Sequence, residues 1–391
     1  MKSFTYYAPT RVCFGKDAAD KTGRFVLDEG AGRVMILYGG GSAVKSGLIG
    51  RVEASLKEAG VDCMTLGGVK PNPTLAFAED AVKAALDFGA DLILPVGGGS
   101  VIDTAKAVAH GVANPGTALW DIWSGKAALT RSTPVGVVLT IPAAGSEMSD
   151  SAVLTNEALG QKAGLSTDLN RCRFAVMDPS CAATVPPYLM AAGIADIMMH
   201  TMERYFIPDS EAALTDEIAE GLLRTVIRCG RQILADPSDE AAMGEVMWAS
   251  SLSHNGLTNC GRDKDFSIHK FGHALSAAYD STHGATLTCI WPAWAAYQYD
   301  GALSRFARFA RQVWGVDEAD DKKAALKGID MTSAYFHEIG MPLTIAELGF
   351  EPSDEDLHRF ALNATKNDTV VLSRIHPLHA AECEEIFKAS R

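Results

Sequence analysis

The chain is 391 residues long with 47% hydrophobic and 21% charged residues, enough apolar surface to offset chain entropy and too much for long disorder. Its 48 acidic residues outnumber the 35 basic ones, for a formal net charge of −13 with no dense Lys/Arg block, so nucleic acid and anionic membranes are poor partners and neither is expected. An anionic ligand would have to be held locally, by backbone N–H groups, helix N-termini and a few placed cations.

The length exceeds what one hydrophobic core usually serves, which implies two domains. The opening MKSFTYYAPTRVCFG carries no apolar core long enough for a signal peptide, and ATLTCIWPAWAAY is short and interrupted by Pro292. The eight cysteines, at 13, 63, 172, 181, 229, 260, 289 and 383, form no CxxC pair. Together these features imply reduced thiols in a cytoplasmic protein without a membrane span.

From Val34 to about Asp178, strand and helix patterns alternate. RVMILY precedes the amphipathic LIGRVEASLKEAG; DCMTLG precedes LAFAEDAVKAALDFG; DLILPV follows. PVGVVLTIP and RFAVMDP read as further strands, and SAVLTN as part of a hairpin near the sheet. The pattern implies βαβ units and a mostly parallel, Rossmann-like sheet. After Pro186-Pro187, a plausible helix start, the periodicity is helical with almost no strand signal, from YLMAAGIADIMMHTMERYF through LTDEIAEGLLRTVIRCGRQILA, EAAMGEVMWASSLSHNG, FSIHKFGHALSAAYD and GALSRFARFARQVWG to AALKGIDMTSAYFHEIG. We expect an α/β dinucleotide-binding domain over 1–185 and an all-α domain over 186–391, packed around a shared cleft.

DLILPV runs into Gly97-Gly98-Gly99-Ser100 and then into the helix VIDTAKAVAHG. Glycines admit a phosphate close to the backbone, and the helix start offers free N–H donors and a favourable dipole, so this is the expected pyrophosphate seat. Ile102 stands where the standard fingerprint would place a third glycine. A second loop, Gly39-Gly40-Gly41-Ser42, follows RVMILY, where an acidic residue would bind the ribose 2′-hydroxyl of NAD. It has none, and Lys45 lies nearby, which leaves room for a 2′-phosphate and points to NADP(H) ahead of NAD(H). A third element, Thr140 through Glu147, ends an apolar strand with small and hydroxyl residues that could line the nicotinamide or ribose.

Asp196 and His200 are four apart on one helix, as are His269 and His273 on another, and His283 follows in a turn. Residues four apart share a helix face. Three imidazoles and one carboxylate from this set could complete a shell for a borderline ion such as Zn²⁺ or Fe²⁺, with the remaining histidine left for proton transfer. Asp196 sits among Ile194, Ala195, Ile197 and Met198, where an unpaired carboxylate is costly to bury. His110, His254, His337, His358, His376 and His379 show no such pairing and are assigned no chemistry.

In order and spacing, Gly-Gly-Gly-Ser-x-x-Asp at 97 to 103, Thr140 through Glu147, Asp196-x-x-x-His200 and the His269, His273, His283-Gly284 series resemble the iron-containing, or group III, alcohol dehydrogenase family. The likeness spans nearly the whole chain and looks nearest the branch of NADP-dependent butanol dehydrogenases and broad-range aldehyde reductases. The resemblance implies Asp196, His200, His269 and His283 as ligands of one divalent metal, Fe²⁺ or Zn²⁺, and His273 as a catalytic histidine beside the nicotinamide. It further implies that Gly97, Gly98, Gly99, Ser100 and Asp103 face the dinucleotide, that Thr140 and Ser146 lie near it, that Lys162 approaches the adenosine phosphate, and that the protein is a homo-oligomer, with a dimer favoured.

The expected activity is hydride transfer between NAD(P)(H) and a small alcohol or aldehyde, with the metal acting on the substrate oxygen. Two alternatives use the same scaffold differently. A sugar-phosphate cyclase resembling dehydroquinate synthase would need extra Lys and Arg residues that the metal helices lack. A non-catalytic nucleotide-binding protein would leave the Asp/His constellation unexplained.

Overall fold

Runs such as LILPVG, GVVL and FAVM are rich in β-branched and aliphatic residues without polar alternation, which suits strands covered on both faces. A computed structural model, which describes residues 1–208 and 211–391, places them in a six-stranded parallel sheet. The strands are β1 (Arg11–Phe14), β2 (Arg33–Tyr38), β3 (Asp62–Leu66), β4 (Leu92–Gly97), β5 (Gly136–Leu139) and β8 (Phe174–Met177), in the order β1-β8-β5-β4-β2-β3. The central β4, β5 and β8 are buried along their whole length, while β1 and β3 at the edges are partly exposed. Between β5 and β8, the strands β6 (Ser151–Asn156) and β7 (Gln161–Ser166) form a separate antiparallel hairpin, as the SAVLTN segment suggested.

Helices cover both faces. They are α1 (Thr22–Asp28), α2 (Ser42–Lys45), α3 (Leu48–Glu58), α4 (Leu75–Phe88), α5 (Gly99–Ala113) and α6 (Leu119–Trp123). Leu48, Ile49, Val52 and Leu56 of α3 recur at helical spacing and pack with Val34, Ile36, Leu92 and Leu94 of the sheet. A second cluster joins Ala78, Ala107, Leu119, Trp123 and Leu154. Omitting the edge strand β1, the order is that of a flavodoxin-like doubly wound sheet. The chain leaves β2 for β3 on one side and returns to β4 on the other, so the switch point falls between the carboxyl ends of β2 and β4, where such sheets bind ligands.

The remaining helices are α7 (Pro187–Tyr205), α8 (Ala213–Ala235), α9 (Glu240–His254), α10 (Ser267–Tyr279), α11 (His283–Thr288), α12 (Trp291–Gln298), α13 (Leu303–Trp314), α14 (Asp321–Glu338), α15 (Asp354–Ala364) and α16 (Ala380–Ala389). In this region the described residues contain one isolated bridge, Leu372 with Leu378, and no strand. None of the described helices is long and apolar enough to cross a membrane.

The chain divides into two compact units at Val185 and Pro186, with two exchanges that correct the simple split into 1–185 and 186–391. Met1–Tyr6 belongs to the helical unit, where the Lys2 N–H donates to the Gly261 carbonyl at 2.9 Å and the Lys2 ammonium pairs with Asp263. Pro237–Ser251 belongs to the α/β unit. There Ser250 donates to the Ala143 carbonyl, Ser251 donates to Glu147, and Gly244 lies beside Phe14 and Pro179. The strand β1 was also unexpected: RVCF is four residues long and begins with an exposed arginine, too little to register as a period.

Helix α5 is buried from Val101 to Gly111, including His110. Asn170 uses its amide N–H groups on the Asp150 and Leu165 carbonyls, so its oxygen, 2.8 Å from His110 Nε2, must be an acceptor. Nε2 therefore carries the proton, and Nδ1 accepts from Ser132 at 2.9 Å. Burial lowers the imidazole to about 4, against the opposing hydrogen bond to Asn170. Because the folded value lies below the unfolded value of about 6.5, the unfolded chain binds more protons in the interval, and stability falls as pH drops from about 6.5 to about 4, by up to ~1.4 kcal/mol per pH unit. Urea midpoints measured across this interval should therefore converge between the native protein and His110→Gln, which lacks the titrating group. A gap that stays constant from neutral pH to pH 4 would show that His110 titrates normally in the folded state.

Candidate metal centre and dinucleotide loops

Asp196, His200 and His269 come together in the helical unit and are all buried. From Asp196 Oδ1, His200 Nδ1 lies 3.4 Å away, His269 Nε2 3.5 Å and His283 Nε2 3.9 Å. The first two residues project from one face of α7, His269 comes from the first turn of α10, and His283 opens α11. A local reason lets His283 reach the others: a Cβ on Gly284 would lie 2.0 Å from the Ala192 carbonyl oxygen. Only glycine lets α11 press against α7 at this point. The His283 side chain remains 26% exposed, against 5% for Asp196, and it sits at the rim of the cluster.

Asp196 Oδ1, His200 Nδ1 and His269 Nε2 are buried without a hydrogen-bond partner. Leaving three such atoms unsatisfied in a protein interior is expensive, and a shared cation removes the cost for all three at once. Burial, reinforced by the neighbouring His254 and His269, holds the His200 imidazole well below its usual range, in the neutral form that can donate a lone pair. Burial also works against protonation of His269, but the Glu203 and Asp196 carboxylates outweigh it and hold that imidazole up at about 9. The donor set therefore fits a divalent metal in residue type, burial and unused valence.

His273 lies next to this group. Its ring centroid is 6.4 Å from that of His269 and 5.5 Å from that of His283, and the residue is half-buried. Two neighbours had no assigned role in the sequence. His254 packs edge-on against His200 with ring centroids 4.1 Å apart, and its Nδ1 is 3.2 Å from Arg204 Nη2. Glu203, fully buried, accepts from His269 Nδ1. Glu203 had a readable signal, since 196, 200 and 203 share one helix face. His254 had none, because it comes from a different helix.

In the α/β unit the two glycine loops meet. Tyr38 of β2 is the register partner of Val96 of β4, which places Gly39 beside Gly97 at the switch point. A Cβ on Gly97 would sit 2.5 Å from Val101, and one on Gly39 would approach both Val69 and Val101, so both loops rest on the first turn of α5. Ser100 lies in that turn, partly exposed, and Thr140 follows β5, donating its N–H to the Gly97 carbonyl at 3.1 Å. Gly40, Gly41 and Ser42 reach outward with open space around the two glycines.

Asp103 and Ser146, expected near the dinucleotide, are buried and bonded to each other. Asp103 accepts from the Ser146 hydroxyl at 2.5 Å and from the Val153 N–H at 2.9 Å. Lys106, fully buried, donates to the Ser146 carbonyl and hydroxyl and to the Ser151 carbonyl. This network ties α5 to the Thr140–Glu147 segment and to the hairpin. A lysine three residues after Asp103 in an otherwise apolar helix was its available signal. Lys162 on β7 donates to Asn72 Oδ1 at 2.7 Å.

Comparison with known proteins agrees with both halves of this description. Residues 9–179 match the iron-containing alcohol dehydrogenase family model, and residues 190–391 match the C-terminal model of the Fe-containing alcohol dehydrogenase family. The chain is 38% identical to NADH-dependent butanol dehydrogenase A of Clostridium acetobutylicum, with 100% of each chain covered. It is 33% identical to the NADPH-dependent aldehyde reductase YqhD of Escherichia coli, covering 90% of this chain and 91% of that one. Among solved structures, NADH-dependent butanol dehydrogenase A of Thermotoga maritima superposes with a TM-score of 0.95 at 34% identity, covering 100% of this chain and 99% of the other. With matches in both halves and full-length relatives, the chain belongs to the iron-containing alcohol dehydrogenase family, oxidoreductases that act on CH–OH groups with a nicotinamide cofactor.

Proposed function

We propose that this chain is a metal-dependent alcohol dehydrogenase or aldehyde reductase that moves a hydride between a nicotinamide dinucleotide and a small alcohol or aldehyde. The observation that carries this reading is the buried Asp196, His200 and His269 cluster with its three unsatisfied donor atoms, in a chain of this family. In it, Asp196, His200, His269 and His283 hold one divalent ion, Fe²⁺ or Zn²⁺. When bound, the ion supplies a Lewis acid for the substrate oxygen and the dinucleotide carries the hydride. The chain's own contribution is to keep the donor atoms dry and turned toward one another. His273 moves a proton between the reacting oxygen and solvent, a role an imidazole is chemically able to fill.

Gly97, Gly98, Gly99 and Ser100 seat the pyrophosphate at the start of α5, with Thr140 close by. Asp103, Lys106 and Ser146 hold the two segments in register. The Gly39–Ser42 loop receives the adenosine ribose, and Lys162 supplies a cation on the same unit. The absence of an acidic residue in that loop supports NADP(H) over NAD(H), while the names of the relatives divide between the two cofactors. A homodimer gains support from the partly exposed edge strand β1, where Phe14 is exposed and Trp248 of α9 is an exposed neighbour.

Three measurements test this reading. His283→Ala should fold normally, lose most of its metal by elemental analysis and lose turnover with it; full occupancy in this variant would remove His283 from the ligand set. His273→Ala should keep its metal but lower kcat by about 10²-fold and alter its pH profile, the usual cost of losing a positioned acid or base. A larger change in cofactor KM than in kcat would instead make His273 a packing surface for the nicotinamide, and loss of metal would make it a ligand. Gly40→Asp should weaken NADPH more than NADH, because the new carboxylate repels a 2′-phosphate. A Cβ there meets open space, so the effect reads charge rather than a clash. A higher kcat/KM with NADH than with NADPH in the unmodified protein would overturn the cofactor preference.

A further inference from the structure

The α7 face that carries Asp196 and His200 continues one turn further to Glu203, which no part of the proposed chemistry uses. Glu203 is 1% exposed, and both of its oxygens are engaged by the start of α10. Oε1 accepts the Ile268 N–H at 2.7 Å and, more weakly, the His269 N–H at 3.4 Å. Oε2 accepts from His269 Nδ1. These are two of the N–H groups that a helix leaves without an internal partner in its first turn, so the carboxylate caps α10 from a neighbouring helix as it grips the imidazole. Phe266, at the N-cap position, supplies no side-chain cap hydrogen bond, and Asp265 accepts only the Ser267 N–H, at 2.7 Å, so the Ile268 and His269 N–H groups depend on Glu203.

We infer that Glu203 is a positioning residue that selects the metal-binding tautomer of His269 and fixes the direction of its ring. A neutral imidazole carries one N–H. With a carboxylate at Nδ1 that can only accept, the proton is held on that nitrogen. The lone pair is then on Nε2, the buried atom without a hydrogen-bond partner that lies 3.5 Å from Asp196 Oδ1. The same carboxylate raises the basicity of the nitrogen on the far side of the ring, as partners of metal-binding histidines do. Because Oε1 is pinned by the Ile268 N–H, the carboxylate cannot swing away, and the ring direction follows from the relative placement of α7 and α10.

Glu203→Gln is a sharp test because the amide is nearly isosteric but not symmetric. Its oxygen must remain on the Ile268 N–H, since the NH₂ group there would set donor against donor. That leaves the NH₂ facing His269 Nδ1, which forces the bare nitrogen to that side and the proton onto Nε2. A protonated Nε2 cannot ligate.

The inference rests on the proposed metal site, so the experiment has to separate the two. Stripped native protein and Glu203→Gln are titrated with Zn²⁺ against a chromophoric chelator, and histidine-selective ¹⁵N NMR of the metal-free proteins reports the His269 tautomer, with His269→Ala assigning the signal. Expected are Zn²⁺ binding by the native protein, affinity about 10- to 100-fold weaker in the variant, and a proton that moves from Nδ1 to Nε2. Equal affinity in both proteins overturns the role of Glu203 and leaves the metal site standing. A native protein that does not bind Zn²⁺ overturns both. Should the variant fail to fold, the native protein alone still decides, with the metal-free spectrum taken above about pH 9, where the ring is neutral: a neutral His269 protonated on Nε2 overturns the inference, whereas a strongly hydrogen-bonded Nδ1–H with a bare Nε2 supports it.

Discussion

A buried carboxylate with no protein donor on one oxygen organises the helical unit. Asp196 Oδ1 faces three imidazole nitrogens and accepts a hydrogen bond from none of them. Burying an ionised carboxylate costs several kcal/mol unless a partner compensates, and the imidazole nitrogens at 3.4 to 3.9 Å make no hydrogen bond to this oxygen. The surrounding architecture is arranged to keep these atoms together. Glycine at 284 brings α11 against α7, Glu203 caps α10 while holding His269, and Arg204, one residue on, donates to the His200 carbonyl and packs beside His254.

The α/β unit meets a different demand with a different device. There the sheet order itself makes the site: β3 and β4 lie on opposite sides of β2, so two loops open side by side with no connection crossing between them. Glycines at 39 and 97 let both loops lie on the start of α5, and the buried Lys106, Asp103 and Ser146 network fixes the segment after β5. A buried lysine that donates to three acceptors, with a carboxylate close by, is a rigid joint. Breaking it would strand charges in the interior, which is why these polar groups sit behind the loops rather than in them.

The chemistry thus divides by mechanism of support. The proposed donor atoms for an ion sit on packed helices, and the proposed phosphate seat sits at a strand end and helix start. The family matches the chain across both halves.

The sequence by itself determined the fold class and the residues that could carry chemistry, because both are written in local spacing. Strand and helix periods separate the α/β half from the helical half, a triple glycine between an apolar strand and a helix is a candidate phosphate loop, and residues four apart place Asp196 with His200 and His269 with His273. Only the tertiary structure decided what depends on segments far apart in the chain. It put His254 against His200 and Glu203 against His269, and it bonded Ser146 to both Asp103 and Lys106. It also moved Met1–Tyr6 and Pro237–Ser251 out of the units that their place in the sequence suggested. The physical reason is the same in each case: a period reports which way a side chain leaves its own helix or strand, whereas the partner it meets is set by how that element packs against another.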